Sequence, residues 1–147
     1  MKRLFTLFSL ILLLVACKND DNGNGNDNNP YLTPPLVNLS LNLNLPQFNP
    51  LNFDGNTVVL PSQGIRGIAV YRQSATQIFA YDLSDPNHVP NGCSGMDLNG
   101  IIATCPCTDD ENSYALALFG LHESDQDLFP MLQYRVQKSG NTIIITN

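Results

Sequence analysis

The residues best able to do chemistry are Cys93, Cys105 and Cys107, with His88 just ahead of them. Two of the thiols lie one residue apart in ATCPCTDDENS (103–113), directly after the apolar run GIIA. Thiolates and imidazoles bind zinc, so these four side chains permit a Cys₃His centre. Against it, Cys-x-Cys is tighter than the usual zinc-knuckle spacing, and Thr108 stands where a histidine would complete a metal loop. A disulfide is the other use of such thiols, and three cysteines leave one over. The loop therefore reads as a metal or redox loop, a disulfide loop, or one converted into the other.

The remaining candidates carry weaker signals. TDDENS and ESDQD place Asp109, Asp110, Glu111, Glu123, Asp125 and Asp127 in two loops. Carboxylate oxygens suit Ca²⁺, but solvated loop carboxylates account for the same pattern. His122 sits in a polar stretch with no evident partner, and is expected to be exposed. Ser94 and Ser113 lack any neighbouring sign of an activated nucleophile. No motif for a metal-dependent hydrolase accompanies the acidic loops.

The amino terminus bears on compartment. MKR is followed by the apolar run LFTLFSLILLLVA, which ends at Cys17. A spanning helix needs about 20 apolar residues, so this shorter run reads as a secretory signal over residues 1–16. Leu14-Val15-Ala16-Cys17 resembles the bacterial lipobox, which implies cleavage before Cys17 and acylation of its thiol. Two of the 7 basic residues, Lys2 and Arg3, precede that point, leaving 5 against 13 acidic ones and a formal net charge of −8. Such a surface argues against nucleic acid and anionic headgroups as partners, so membrane attachment would come from the acyl chains. An exported protein meets an oxidising compartment, where a disulfide is the default expectation.

KNDDNGNGNDNNPYLTPP (18–35) is dominated by Asn, Asp, Gly and Pro, with Tyr31 and Leu32 its apolar residues. It has too little apolar surface to offset the entropy of ordering, so residues 17–35 are expected to form a tether. CKNDD also resembles the surface-export signal of Bacteroidetes lipoproteins, although Asn19 intervenes between the lysine and the acids. Outer-membrane placement is expected, at the cell surface or on the periplasmic face.

Residues 36–147 suffice for one domain with a modest core. In VNLSLNLNL, Val37, Leu39, Leu41, Leu43 and Leu45 alternate with Asn and Ser, the period of a strand with one face buried. Asn38, Asn42 and Asn44 should then line its exposed side. Further strands are predicted over 56–60, 66–72, 77–83, 97–105, 113–119, 131–137 and 141–147, separated by FDGN, PSQG, SDPN, PNG and KSGN. The last two are predicted to form a hairpin around Ser139-Gly140. Short strands at this spacing make an all-β antiparallel sandwich or open barrel the expected architecture.

From about residue 64 to 147 the chain resembles the Rieske domain, and in particular the small Rieske-like lipoproteins of Bacteroidetes. The carrying segments are GIAVYRQSATQIFAYDLSDPNHVPNGC, LNGIIATCPC and FPMLQYRVQKSGNTIIIT, with Cys-Pro-Cys after an apolar strand the most specific. A Rieske domain binds a [2Fe–2S] cluster through one Cys-x-His loop and one Cys-x-x-His loop. The resemblance lays the first pair on Asp85 and Asn87 and the second on Cys105 and Thr108, so one ligand of four survives. His88 lies one residue beyond the matched histidine, and a shifted loop offering it would still lack a thiolate and an imidazole.

Many respiratory Rieske domains also join their two cluster loops by a disulfide, and by resemblance Cys93 and Cys107 are that pair. The same resemblance leaves Cys105 a free, buried thiol. Tyr114 lies near the family's cluster-side aromatic, two residues too far from Cys105, and core packing is the expected role. The implied protein is a degenerate, non-catalytic binding or accessory lipoprotein with no cofactor or metal and a partner of unknown kind. The rival implication is an electron carrier whose [2Fe–2S] cluster is held by non-standard ligands.

Overall fold

The computed structural model describes residues 29–147. The predicted signal peptide, the acylation site Cys17 and the tether up to residue 28 lie outside the described residues. Ten strands are present in the described chain: β1 Asn38–Asn42, β2 Thr57–Leu60, β3 Ile68–Arg72, β4 Ile78–Asp82, β5 Asp97–Asn99, β6 Ile102–Thr104, β7 Ser113–Ala115, β8 Leu121–His122, β9 Gln133–Ser139 and β10 Thr142–Thr146. They form a six-stranded sheet in the order β1-β10-β9-β4-β3-β2 and a four-stranded sheet in the order β5-β6-β7-β8. Every pairing is antiparallel. The fold is all-β: a curled, half-barrel sheet with a second, small sheet against it.

β9 is the strand that curls the large sheet. Its Arg135–Ser139 stretch pairs with β10, while Gln133 and Tyr134 pair with Tyr81 and Ala80 of β4. The β9–β10 hairpin turns through Gly140 and Asn141, with Thr142 opposite Ser139. Gly140 has φ +56°, a conformation in which a side chain would be strained.

β3 explains the layering. Ile68 and Val70 enter one core, with Leu41, Leu43, Leu51, Ala80, Leu132, Tyr134, Ile143 and Ile145. Ala69 and Tyr71, on the opposite face, enter a second core with Tyr81, Leu83, Met96, Ala103, Tyr114, Leu116 and Met131. A strand covered on both faces needs no polar alternation, which is why IAVY reads as a continuous apolar run. The first core is filled between the curled sheet and a 3₁₀ helix over Pro46–Asn52, which contributes Leu51. The second lies between the two sheets.

Strand lengths depart from the sequence expectation at three places. The predicted strand over 97–105 is a hairpin, β5 and β6, because Gly100 adopts φ +63° and reverses the chain. The predicted strand over 113–119 stops at Ala115, and Leu116–Leu118 forms a 3₁₀ turn that drops Leu116 into the second core. The first strand ends at Asn42, although Leu43 N–H still bonds Asn141 C=O at 2.8 Å and Leu43 stays buried. Ahead of β1, Leu32 is buried in the first core, and Asn29 Nδ2 donates to the Pro86 carbonyl at 2.8 Å.

Candidate functional site

Two loops, one crossing between the sheets and one within the small sheet, meet at the end of the second core. The first, 84–96, leaves β4; the second, 105–112, joins β6 to β7. Each is closed at its base by backbone hydrogen bonds. Asp85 N–H donates to Ser94 C=O and Met96 N–H to Leu83 C=O in the first, and Cys105 N–H donates to Asn112 C=O in the second. Asn91 shapes the tip of the first loop: its Oδ1 accepts the N–H groups of Cys93 (2.9 Å) and Ser94 (3.1 Å), and its carbonyl accepts from the Arg66 guanidinium. That turn presents Cys93 to the second loop. Cys93 and Cys107 are joined by a disulfide with Cα atoms 5.1 Å apart.

Beneath the bridge lies a polar hub inside the core. Asp85, with no exposed surface, is its centre. Asp85 Oδ1 accepts the backbone N–H of Asn87 (2.8 Å) and the hydroxyl of Tyr114 (2.9 Å), and Oδ2 accepts Nδ2 of Asn112 (2.9 Å). Asn87 is used at both ends of its amide. Its Nδ2 donates to the Tyr114 hydroxyl (2.9 Å) and to Phe129 C=O (2.8 Å), while Oδ1 accepts Phe129 N–H at 3.0 Å. The two residues thereby tie the first loop to the second, to β7 and to the segment before β9. Burial, followed by the charge and hydrogen bonding of Asp85 and the charge of Asp110, raises the Tyr114 hydroxyl, which Asn87's donation only partly offsets. Tyr114 therefore stays a neutral donor.

Cys105 is a free, buried thiol beside this hub. Burial, with the side chains of Asp85 and Asp110 alongside, pushes its pKa up to about 12 against the lowering effect of the Cys107 backbone. A thiol held protonated is a poor nucleophile. Asp110 and His88 complete the rim, with His88 Nε2 3.8 Å from Asp110 Oδ2. Thr108 is exposed.

Of the four positions that the sequence matched to cluster ligands, Asp85, Asn87 and Cys105 come together and Thr108 turns outward. The donor set does not fit a [2Fe–2S] cluster. It offers one thiol where two are needed, Asp85 and Asn87 are already engaged by protein hydrogen bonds, and the neighbouring imidazole, His88, belongs to the rim.

Two residues of the hub lay outside the sequence reading. Asn112 and Phe129 join Asp85 and Asn87 across 27 and 42 residues, and nothing in their local sequence marks them. His122, expected to be exposed, is half-buried in β8. Its ring meets Tyr114 edge-on at 5.2 Å, and its Nδ1 accepts Asp125 N–H at 3.0 Å. The acidic residues of 109–111 and 123–127 are used separately: Ser113 Oγ donates to Glu123 at 2.7 Å, and Asp125 accepts Asp127 N–H.

A second buried carboxylate sits at the other core. Asp82 accepts from Ile65 N–H (2.6 Å), Arg66 N–H (3.2 Å), Ser84 N–H (2.8 Å) and Tyr134 Oη (2.8 Å). Burial raises its pKa despite these donors. It holds the 64–66 turn against the sheet, so its role is structural. No protein-family model matches the chain, and a search of curated proteins returns no match either.

Proposed function

We propose that this chain is a membrane-anchored, exported lipoprotein with a Rieske-type β fold that has given up its iron–sulfur cluster. It serves as a non-catalytic binding or accessory module at the cell surface or on the periplasmic face of the outer membrane. The observation that supports this reading most is the use made of the matched ligand positions. Asp85 and Asn87 spend their hydrogen-bonding capacity on Tyr114, Asn112 and Phe129, cross-linking the loops from within. A disulfide braces the same loops from outside. Loops fixed in this way present a stable surface, and the free thiol beside them is held protonated. The partner is an envelope or extracellular protein or ligand, and the acidic balance of the chain argues against nucleic acid.

The test is elemental. The protein expressed with ample iron and sulfide should contain neither at stoichiometric levels and should be colourless. Two irons per chain with visible absorbance would replace this reading with an electron carrier using non-standard ligands. A pull-down from native membranes, using the wild-type domain as bait, then identifies the partner.

A further inference from the structure

The loop junction holds more metal-type donors than the disulfide and the hub consume. Two overlapping sets meet at Cys107: His88, Cys93 and Cys107, and Cys105, Cys107 and Asp110, with the ligand atoms of each set within 4.8 Å of one another. A tetrahedral zinc ion with Zn–S of about 2.3 Å and Zn–N of about 2.0 Å keeps its ligand atoms about 3.5–3.8 Å apart. Within each set the spans of up to 4.8 Å lie close to those of a tetrahedral site. Cys107 belongs to both sets, so an ion there would draw ligands from both once the bridged sulfurs separate.

A second observation points to a cation. His88 Nδ1 lies 2.7 Å from the Val89 carbonyl. A carbonyl can only accept, so Nδ1 donates there, and Nε2 is the ring nitrogen left for another partner. Nε2 is turned toward Asp110, 3.8 Å from its Oδ2. Asp110 Oδ1 is closed off from solvent and has no hydrogen-bond partner. Fixing one ring nitrogen on a backbone carbonyl while the other is left free is how metal-binding histidines are commonly oriented.

We propose that reduction of the Cys93–Cys107 bridge turns this junction into a site for a zinc-class divalent cation, bound by the thiolates of Cys93, Cys105 and Cys107 and by Nε2 of His88, with Asp110 alongside. A dithiol reductant supplies the two electrons and two protons. The protein S–S bond breaks, an S–S bond forms in the reductant, and Cys93 and Cys107 become thiols. Zn²⁺ then displaces three thiol protons to solution and forms three Zn–S bonds and one Zn–N bond. In the bridged chain Cys93 and Cys107 have no thiolate to offer, so the site is closed. The disulfide is thus a redox gate on metal binding. This inference is independent of the cluster reading, which concerns iron and sulfide in the protein as expressed.

The test is an anaerobic titration of the full chain with Zn²⁺ alone, before and after reduction by a phosphine and removal of the reductant. Co²⁺ serves as a spectroscopic probe. The reduced chain should bind one equivalent of Zn²⁺, and with Co²⁺ it should show thiolate-to-metal charge transfer and the d–d bands of a tetrahedral site. The bridged chain should show neither. His88→Ala and Cys105→Ser should each weaken binding at least tenfold in the reduced chain. Near-ultraviolet circular dichroism guards against reduction merely unfolding the loops, because the folded signal should persist or return on adding Zn²⁺. Equal uptake by bridged and reduced chains, no uptake by the reduced chain, uptake indifferent to both substitutions, or uptake without the folded signal would each overturn the proposal.

Discussion

Asp85→Ala is the perturbation that bears most directly on the hub. The side chain is fully buried and accepts from Asn87 N–H, Tyr114 Oη and Asn112 Nδ2 at 2.8–2.9 Å. Alanine removes the acceptor and leaves these donors inside a closed core, each desolvated group costing about 1–3 kcal/mol. Tyr114 and Asn87 still bond one another, so the losses do not simply add. The net destabilisation expected is about 3–5 kcal/mol, the range found when one partner of a buried charged network is removed. Asp85→Asn separates geometry from charge. Its oxygen can still serve Asn87 N–H and Tyr114 Oη, and the Asn112 amide can turn to meet the new NH₂ with its oxygen. The Asn variant should therefore lose only about 1 kcal/mol, one net hydrogen bond. Urea unfolding at fixed pH is the assay. With a slope of about 2 kcal/mol/M, the Ala variant's midpoint should fall by about 2 M and the Asn variant's by about 0.5 M. An Ala variant within about 0.5 kcal/mol of wild type, the size of a featureless surface change, would refute the hub. Equal losses for Ala and Asn, reproduced in wild type by a chelator, would instead mean that Asp85 holds a cation.

Gly64→Ala should destabilise by about 3 kcal/mol or more in the same assay, from a left-handed backbone penalty of about 1–2 kcal/mol plus displacement of a buried, hydrogen-bonded carboxylate. Gly64 has φ +70°, and an added Cβ would press on Asp82 Oδ2 and lie 3.0 Å from Ile68 Cγ1 and Tyr134 Oη. Gly140→Ala, with φ +56° and no atom within 4 Å of its Cβ position, should cost only about 1 kcal/mol, and equal costs at both sites would exclude packing as the cause. Cys107→Ser opens a bridge between residues 14 apart and should cost about 3 kcal/mol by loop-closure entropy, lowering Tm by on the order of 10 °C. Cys105→Ser should cost less, and peptide mapping of the oxidised protein should recover Cys93 linked to Cys107. Cys17→Ala should abolish processing or release the domain from membranes, and a variant processed and membrane-bound like wild type in fractionation would end the lipoprotein reading.

Local pattern determined much of the fold. The alternation in VNLSLNLNL, the apolar IAVY and the turn at Gly140 depend on neighbours within a few residues, and β1, β3 and the β9–β10 hairpin lie where those patterns put them. The same logic misled at 97–105 and 113–119. Over 97–105 the strand reading ran through Asn99-Gly100, where a glycine with φ +63° turns the chain. Over 113–119 the apolar run is compatible with one strand or with a strand and a turn, and packing of Leu116 in the second core selects the turn. The candidate site divides in a similar way. Cysteine identities and their loop spacing could be read from the chain, so the thiols stood out at once. What each partner does was decided by the tertiary structure. The hydrogen bonds that occupy Asp85 and Asn87 come from Asn112, Tyr114 and Phe129, 27 to 42 residues away. No periodicity encodes a contact of that range. It arises because the two sheets close around Tyr114, and a polar group shut inside that core must find its partner there or lose its solvation without return.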